Sequence, residues 1–199
     1  LLLLFFITHQ AGSQTLVKDY INKHLEIAQK LMREHKVPAS IVLGVAIHES
    51  AAGKSKVARM LNNHFGVKGK NDGKKIRSAY KGYETSDESF EHFASFLQTK
   101  PSYNKLFGTL SQYDYKNWAK GIQRGGYASS KTWASQVISL INKYELYQYD
   151  DRPENYLQDS LMNKEPEPEV TIVKKSAKAK KTYVVKKGDN LGKIAKRVG

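Results

Sequence analysis

The chain has 199 residues, with 33 Lys and Arg against 19 Asp and Glu, a formal net charge of +14. An excess of that size implies an anionic partner or surface: nucleic acid, an acidic membrane, or the anionic polymers and carboxylate peptides of a cell wall. The absence of cysteine excludes a disulfide framework and a thiolate metal site, and 40% hydrophobic residues suffice for a packed core.

Residues 1–7 form an unbroken apolar run, too short to span a bilayer as a helix. With Thr8 to Ser13 after it, the run reads as the rear of a secretory signal, residues 1–13, with a buried N-terminal helix or strand as the alternative. Thr15 is placed to cap a helix whose apolar residues Val17, Ile21, Leu25, Ala28 and Met32 recur in steps of three and four. Pro38 suits the first turn of a second helix. In that helix Val42, Val45 and Ala46 precede Glu49 by seven, four and three residues and share its face, and Gly53 is placed to stop it. A carboxyl on an apolar face near a helix end is a candidate general acid, because lost hydration favours its protonated form. The bland alternative is a surface glutamate paired with Lys54 or Lys56.

Residues 54–61 read as a short helix broken at Asn62 and Asn63. Residues 65–68 and 75–80 flank Asn71-Asp72-Gly73, a turn sequence suited to a β-hairpin. Asp72 is the only acid between Glu49 and Glu84; it is either a turn residue or a second catalytic carboxylate. Thr85 and Glu88 form a capping box for a helix carrying Phe90, Phe93, Ala94 and Leu97 on one face. Residues 101–107 and 113–122 supply a loop and a helix with Trp118. Trp133, Val137, Leu140, Ile141 and Tyr144 mark a last amphipathic helix. Beyond Tyr147 come acidic residues from Asp150 to Glu169 and a lysine-rich block, residues 174–181, together a charged flexible linker over 147–181.

The segment Ala46-Ile47-His48-Glu49-Ser50, with Gly53, Ser55, Ala58 and then Asn62-Asn63-His64-Phe65-Gly66-Val67-Lys68, resembles the N-acetylglucosaminidases of glycoside hydrolase family 73, whose pattern is roughly "ALESGxGxSxLAxxxNNxFGIK". Ala51 and Ala52 depart from it, since many members carry Gly and a large residue there. Residues 81–90 with His92 resemble the family's "YxSxxESFxDHxxFL", where His92 also has an ordinary reading as a hydrogen-bonded structural imidazole. Gly125-Gly126-Tyr127-Ala128-Ser129 resembles the family's "GYAT" turn.

The resemblance implies a mainly helical α+β, lysozyme-like domain over residues 15–146, with a small β-hairpin beside a cleft. It implies hydrolysis of the β-1,4 bond between N-acetylglucosamine and N-acetylmuramic acid in peptidoglycan. Glu49 would be the general acid, Tyr127 would support the sugar, and Asn63, Phe65, Gly126 and Ala128 would shape the substrate cleft. No cofactor or metal is implied, and the protein would act secreted or in the periplasm. Residues 182–199 resemble the first half of a lysin motif (LysM), "YxVKKGDTLxxIAKKYG", with Asn190 in place of Thr or Ser, a module that binds N-acetylglucosamine-containing glycans. Two rivals stay open: a lytic transglycosylase and a non-catalytic wall-binding protein. His48-Glu49 fails as a zinc-protease motif, because position 52 is Ala52 rather than a second histidine. Nucleic-acid binding rests on charge alone.

Overall fold

The computed structural model describes residues 5–71 and 76–152, and Asp72, most of the linker and the LysM-like segment lie outside the described residues. Helix α1, Phe5–His35, begins well before Thr15, which lies inside it instead of capping it. Nothing before Thr15 breaks a helix except Gly12, whose cost of about 1 kcal/mol one residue can absorb. The apolar stripe of α1 is the expected one with Tyr20, His24, Ile27 and Leu31 added, while Leu25 is only half-buried. Lys36 turns left-handed at φ 60°, and Pro38 prevents continuation.

Helix α2, Ala39–Ser50, is the centre of the domain, and every residue from Ala39 to Ile47 is buried. The chain wraps it on all sides, so its apolar residues show no single face. Pro38 sits just outside it as the N-cap residue and offers no side-chain cap. Asp150 supplies that cap from 110 residues away: its carboxylate accepts the backbone N–H and the hydroxyl of Ser40, both at 2.8 Å. Asp150 is 4% exposed, so residues 147–152, expected in the linker, belong to the folded domain. Gly44 lets the helix carrying Ile141 approach, since a Cβ there would lie 2.7 Å from Ile141 Cγ1.

Short helix α3, Lys56–Leu61, is capped by Ser55, whose Oγ accepts from Ala58 N. Helix α4, Ser86–Thr99, begins at the expected Thr85 cap, with Glu88 reaching back to Glu84 N at 3.0 Å. Helix α5, Pro101–Thr109, stands where a loop was expected, with its proline in the first turn where a missing N–H costs nothing. Helices α6, Tyr115–Arg124, and α7, Trp133–Lys143, and a 3-10 turn, Leu146–Tyr149, complete the domain.

Among the described residues there is no β-strand, so the expected hairpin is corrected to one antiparallel bridge, Lys68 with Tyr80. Two bonds flank it, Gly69 N to Ala79 O and Lys81 N to Val67 O. On the turn side of the bridge the Asn71 side chain donates to Ile76 O and Ser78 O, tying the two arms through a side chain. The described domain is helical rather than α+β.

His24 is 1% exposed, and neither ring nitrogen has a hydrogen-bond partner. Burial, with Lys23 adding, lowers its pKa to about 4, and His64 is lowered to about 4 by burial with His24 and Lys23 adding and Asp87 opposing. An unfolded histidine titrates near 6.5, so between about 6.5 and 4 the unfolded chain binds more protons and acidification destabilises the fold. Asp150 runs the other way: burial lifts it to about 6 against its bonds to Ser40. Replacing His24 with Phe should therefore raise Tm more at pH 5 than at pH 8. Equal gains at both would mean that His24 does not titrate across that range.

Candidate active site

Helix α2 ends in the site. Its last residues are His48, Glu49 and Ser50, and the chain then turns left-handed at Ala51, Ala52 and Gly53, with φ of 51°, 51° and 78°. The helix thus stops at Ser50, before Gly53. A left-handed alanine costs roughly 1–2 kcal/mol, which explains why a glycine suits position 51. Ala51→Gly should stabilise the fold by about 0.5–1 kcal/mol in urea melts, the lost strain exceeding the extra unfolded-state entropy. No gain would show that the αL conformation costs nothing here.

Glu49 is half-buried, and no ion pair joins it to Lys54 or Lys56 among the described residues. Its Oε1 accepts the indole N–H of Trp133 at 2.7 Å. Its Oε2 faces Gly66, where a Cβ would stand 3.5 Å from it and 4.0 Å from the Tyr80 ring. Gly66 also has φ +65°, so backbone conformation and room for the carboxylate both favour glycine there. One oxygen of Glu49 is held by the protein and the other is turned to the facing wall.

Asn63 builds that wall. Buried to 1% exposure, its Nδ2 donates to Val67 O and Lys81 O, and its Oδ1 accepts from Phe65 N and Val67 N. Both amide hydrogens and the carbonyl are occupied, so Asn63 shapes the 63–67 turn from inside. The Phe65 ring is core, stacked on Phe93 at 4.3 Å, and only its carbonyl reaches the site. That carbonyl accepts the Tyr127 hydroxyl at 2.8 Å. Burial holds the Tyr127 phenol well above its ordinary pKa, with the charge of Glu49 adding, so it remains a donor rather than a base. Its ring lies 5.3 Å from that of Trp133. Gly126 (φ +87°) and Ala128 flank Tyr127 on its turn, exposed and half-buried.

The structure therefore brings Glu49, Tyr127 and the Phe65 carbonyl together, with Asn63 behind them. Trp133, Tyr80 and Gly66 join them; sequence periodicity assigns Trp133 only to an apolar helix face. His92 Nδ1 lies 2.6 Å from the Tyr83 hydroxyl, a hydrogen bond within the fold. Beside His48 a groove of about 380 Å³ runs along α7, lined by Ser135, Gln136, Ser139 and Lys143. Among the described residues no group of three metal-ligating side chains occurs.

A family model described as "Glucosaminidase: Mannosyl-glycoprotein endo-beta-N-acetylglucosaminidase" matches residues 25–146. The chain is 31% identical over 161 residues to Exo-glucosaminidase LytG of Bacillus subtilis (strain 168), covering 72% of this chain and 56% of that protein. It resembles the catalytic domain of the autolysin Auto from Listeria monocytogenes at 28% identity and a TM-score of 0.58, over 68% of this chain and 88% of that one. A structure of an N-acetylmuramoyl-L-alanine amidase from Staphylococcus aureus shares the fold, with a TM-score of 0.60 at 21% identity, over 72% of this chain and 47% of that one. The matched span runs from the buried face of α1 to the 3-10 turn and encloses Glu49, Tyr127 and Trp133; the chain belongs to the glucosaminidase family.

Proposed function

We propose that this protein hydrolyses the β-1,4 bond between N-acetylglucosamine and N-acetylmuramic acid in peptidoglycan. The observation that carries this reading is Glu49 at the end of a buried helix, with Oε1 fixed by Trp133 and Oε2 turned to the opposite wall. A carboxyl so placed gives its proton to the oxygen of the departing muramyl residue as the C1–O bond breaks. The half-buried Tyr127 ring gives an apolar surface for a sugar face, the buried Trp133 ring packs behind it, and the Phe65 carbonyl fixes the Tyr127 hydroxyl. Family membership and the peptidoglycan-directed names of the relatives support the substrate class. The positive net charge suits a wall rich in anionic polymers, and action on a wall implies location outside the cytoplasm. Among the described residues no helix is long and apolar enough to cross a membrane.

Water can be activated in two ways. An inverting route needs a base carboxylate about 6.5–9.5 Å from Glu49. Asp72 is the one acid of the 65–81 segment, and it lies outside the described residues. Attack of the substrate's own 2-acetamido oxygen on C1, followed by opening of the cyclic intermediate with water, needs no second carboxylate. The otherwise acid-free segment favours this second route, which predicts a β-anomer as the first product in proton NMR; an α-anomer would establish inversion.

The test of the reaction is to digest purified peptidoglycan, reduce the new ends with borohydride and identify them by mass spectrometry. Reduced N-acetylglucosamine ends support the proposal. Anhydro-muramyl ends would make the protein a lytic transglycosylase, and no new ends would leave wall binding alone. Release of single sugars rather than strand fragments would indicate the exo-acting mode named for LytG.

A further inference from the structure

Tyr20 lies on α1, outside the cleft, yet it touches both segments that form it. On one side its ring packs against Gly53, where a Cβ would come within 3.0 Å of Tyr20 Cε2. Its oxygen also lies 3.3 Å from the hydroxyl of Ser50, the residue after Glu49. Ser50 is fully buried: its hydroxyl donates to Ala46 O, and its oxygen accepts the Gly53 N–H at 2.8 Å. These bonds close the left-handed turn that ends the Glu49 helix. On the other side the Tyr20 hydroxyl lies 2.6 Å from His64 Nδ1. His64 directly follows Asn63, whose side chain organises the turn holding Gly66 against Glu49.

Burial holds the Tyr20 phenol far above its ordinary value and keeps the His64 ring neutral, so the bond joins two neutral groups, with the donor set by the imidazole tautomer. His24 closes the far side, its ring centroid 4.5 Å from Tyr20 and 5.1 Å from His64, stacked on Phe90. With no hydrogen bond of its own it leaves the Tyr20–His64 pairing undisturbed.

We propose that Tyr20 and His64 are positioning residues for the reaction: their hydrogen bond clamps the end of the Glu49 helix to the Asn63–Gly66 wall and so fixes the gap in which the glycosidic oxygen meets the acid. The inference rests on the glycosidase reading above for its kinetic consequence, though the clamp itself does not. Neither side chain touches the substrate; both act through Ser50, Gly53 and Asn63.

Tyr20→Phe keeps the ring against Gly53 and removes only the hydroxyl. On soluble peptidoglycan strands it should lower kcat by about 10- to 100-fold, because a small misplacement of the acid is costly, while KM stays within about twofold. His64→Asn, whose amide reaches the Nδ1 position and can accept from the phenol or donate to it, should retain most of the activity. Ile21→Val trims the core on the same helix and serves as the stability control: it should lower Tm with kcat unchanged. A Tyr20→Phe enzyme with wild-type kcat, or with raised KM alone, overturns the proposal. Amide exchange gives a readout independent of activity. The N–H groups of Gly53 and Val67 should exchange faster in Tyr20→Phe, and unchanged rates there would sink the clamp. If the wild type releases no glycan ends, the functional reading fails and the exchange result alone decides the clamp.

Discussion

Replacing Glu49 with Gln is expected to lower the release of reducing ends from peptidoglycan by about 10³-fold, within the range that a positioned general acid contributes. Gln has the shape of the protonated acid and its carbonyl oxygen can still accept the Trp133 N–H seen at 2.7 Å, but it has no proton of suitable acidity to give. The residue is half-buried and joined to no ion pair among the described residues, so the exchange strands no buried partner charge. Tm should therefore stay within a few degrees of wild type. A Glu49→Gln enzyme with normal turnover would show that the proton comes from elsewhere, and one that melts far lower would show that Glu49 is mainly structural.

The second large effect is structural. Asn63→Ala leaves Lys81 O, Phe65 N and Val67 N without the side chain that pairs them, in a residue 1% exposed, while Val67 O keeps the Lys81 N–H. Each buried group left unpaired costs about 1–3 kcal/mol, and neighbouring losses do not add fully, so a total of about 3–5 kcal/mol is expected. At about 2–4 °C per kcal/mol for a domain of this size, Tm should fall by roughly 6–20 °C. Activity should fall even where the variant is folded, because the Gly66 wall loses its internal frame. Asn63→Asp keeps the acceptor for Phe65 N and Val67 N and should lose less. A thermal melt settles it: a fall of under about 2 °C for Asn63→Ala, less than 1 kcal/mol is worth here, would mean that water replaces the side chain at no cost.

What the sequence discloses of this site follows the range of the forces involved. Helical spacing places Glu49 on the buried helix because each neighbour that matters lies within seven residues. The Thr85 cap is legible for the same reason. Trp133 is not, because a helical period marks it as apolar and is silent on an indole N–H aimed at a carboxylate 84 residues earlier. The Asp150 cap on Ser40 joins positions 110 apart, and an acid-rich stretch reads as tether until its burial is seen. The hairpin misleads in the opposite direction. Asn-Asp-Gly is a sound local turn signal, but among the described residues it yields one bridge, with the Asn71 side chain bonded to Ile76 O and Ser78 O. Position 51 shows a third case: the alanine there is compatible with helix by propensity, and only the observed φ of 51° reveals that the helix stops at that point.

The central claim is that Glu49 protonates the leaving oxygen, and the dependence of rate on leaving group tests it most directly. The substrate is an N-acetylglucosamine oligomer carrying dinitrophenol at its reducing end, whose phenolate departs without a proton. Glu49→Gln should cleave it within about tenfold of the wild-type rate while remaining about 10³-fold impaired on peptidoglycan. Equal impairment on both substrates would contradict the assignment, because a group needed regardless of leaving-group acidity is not the proton donor.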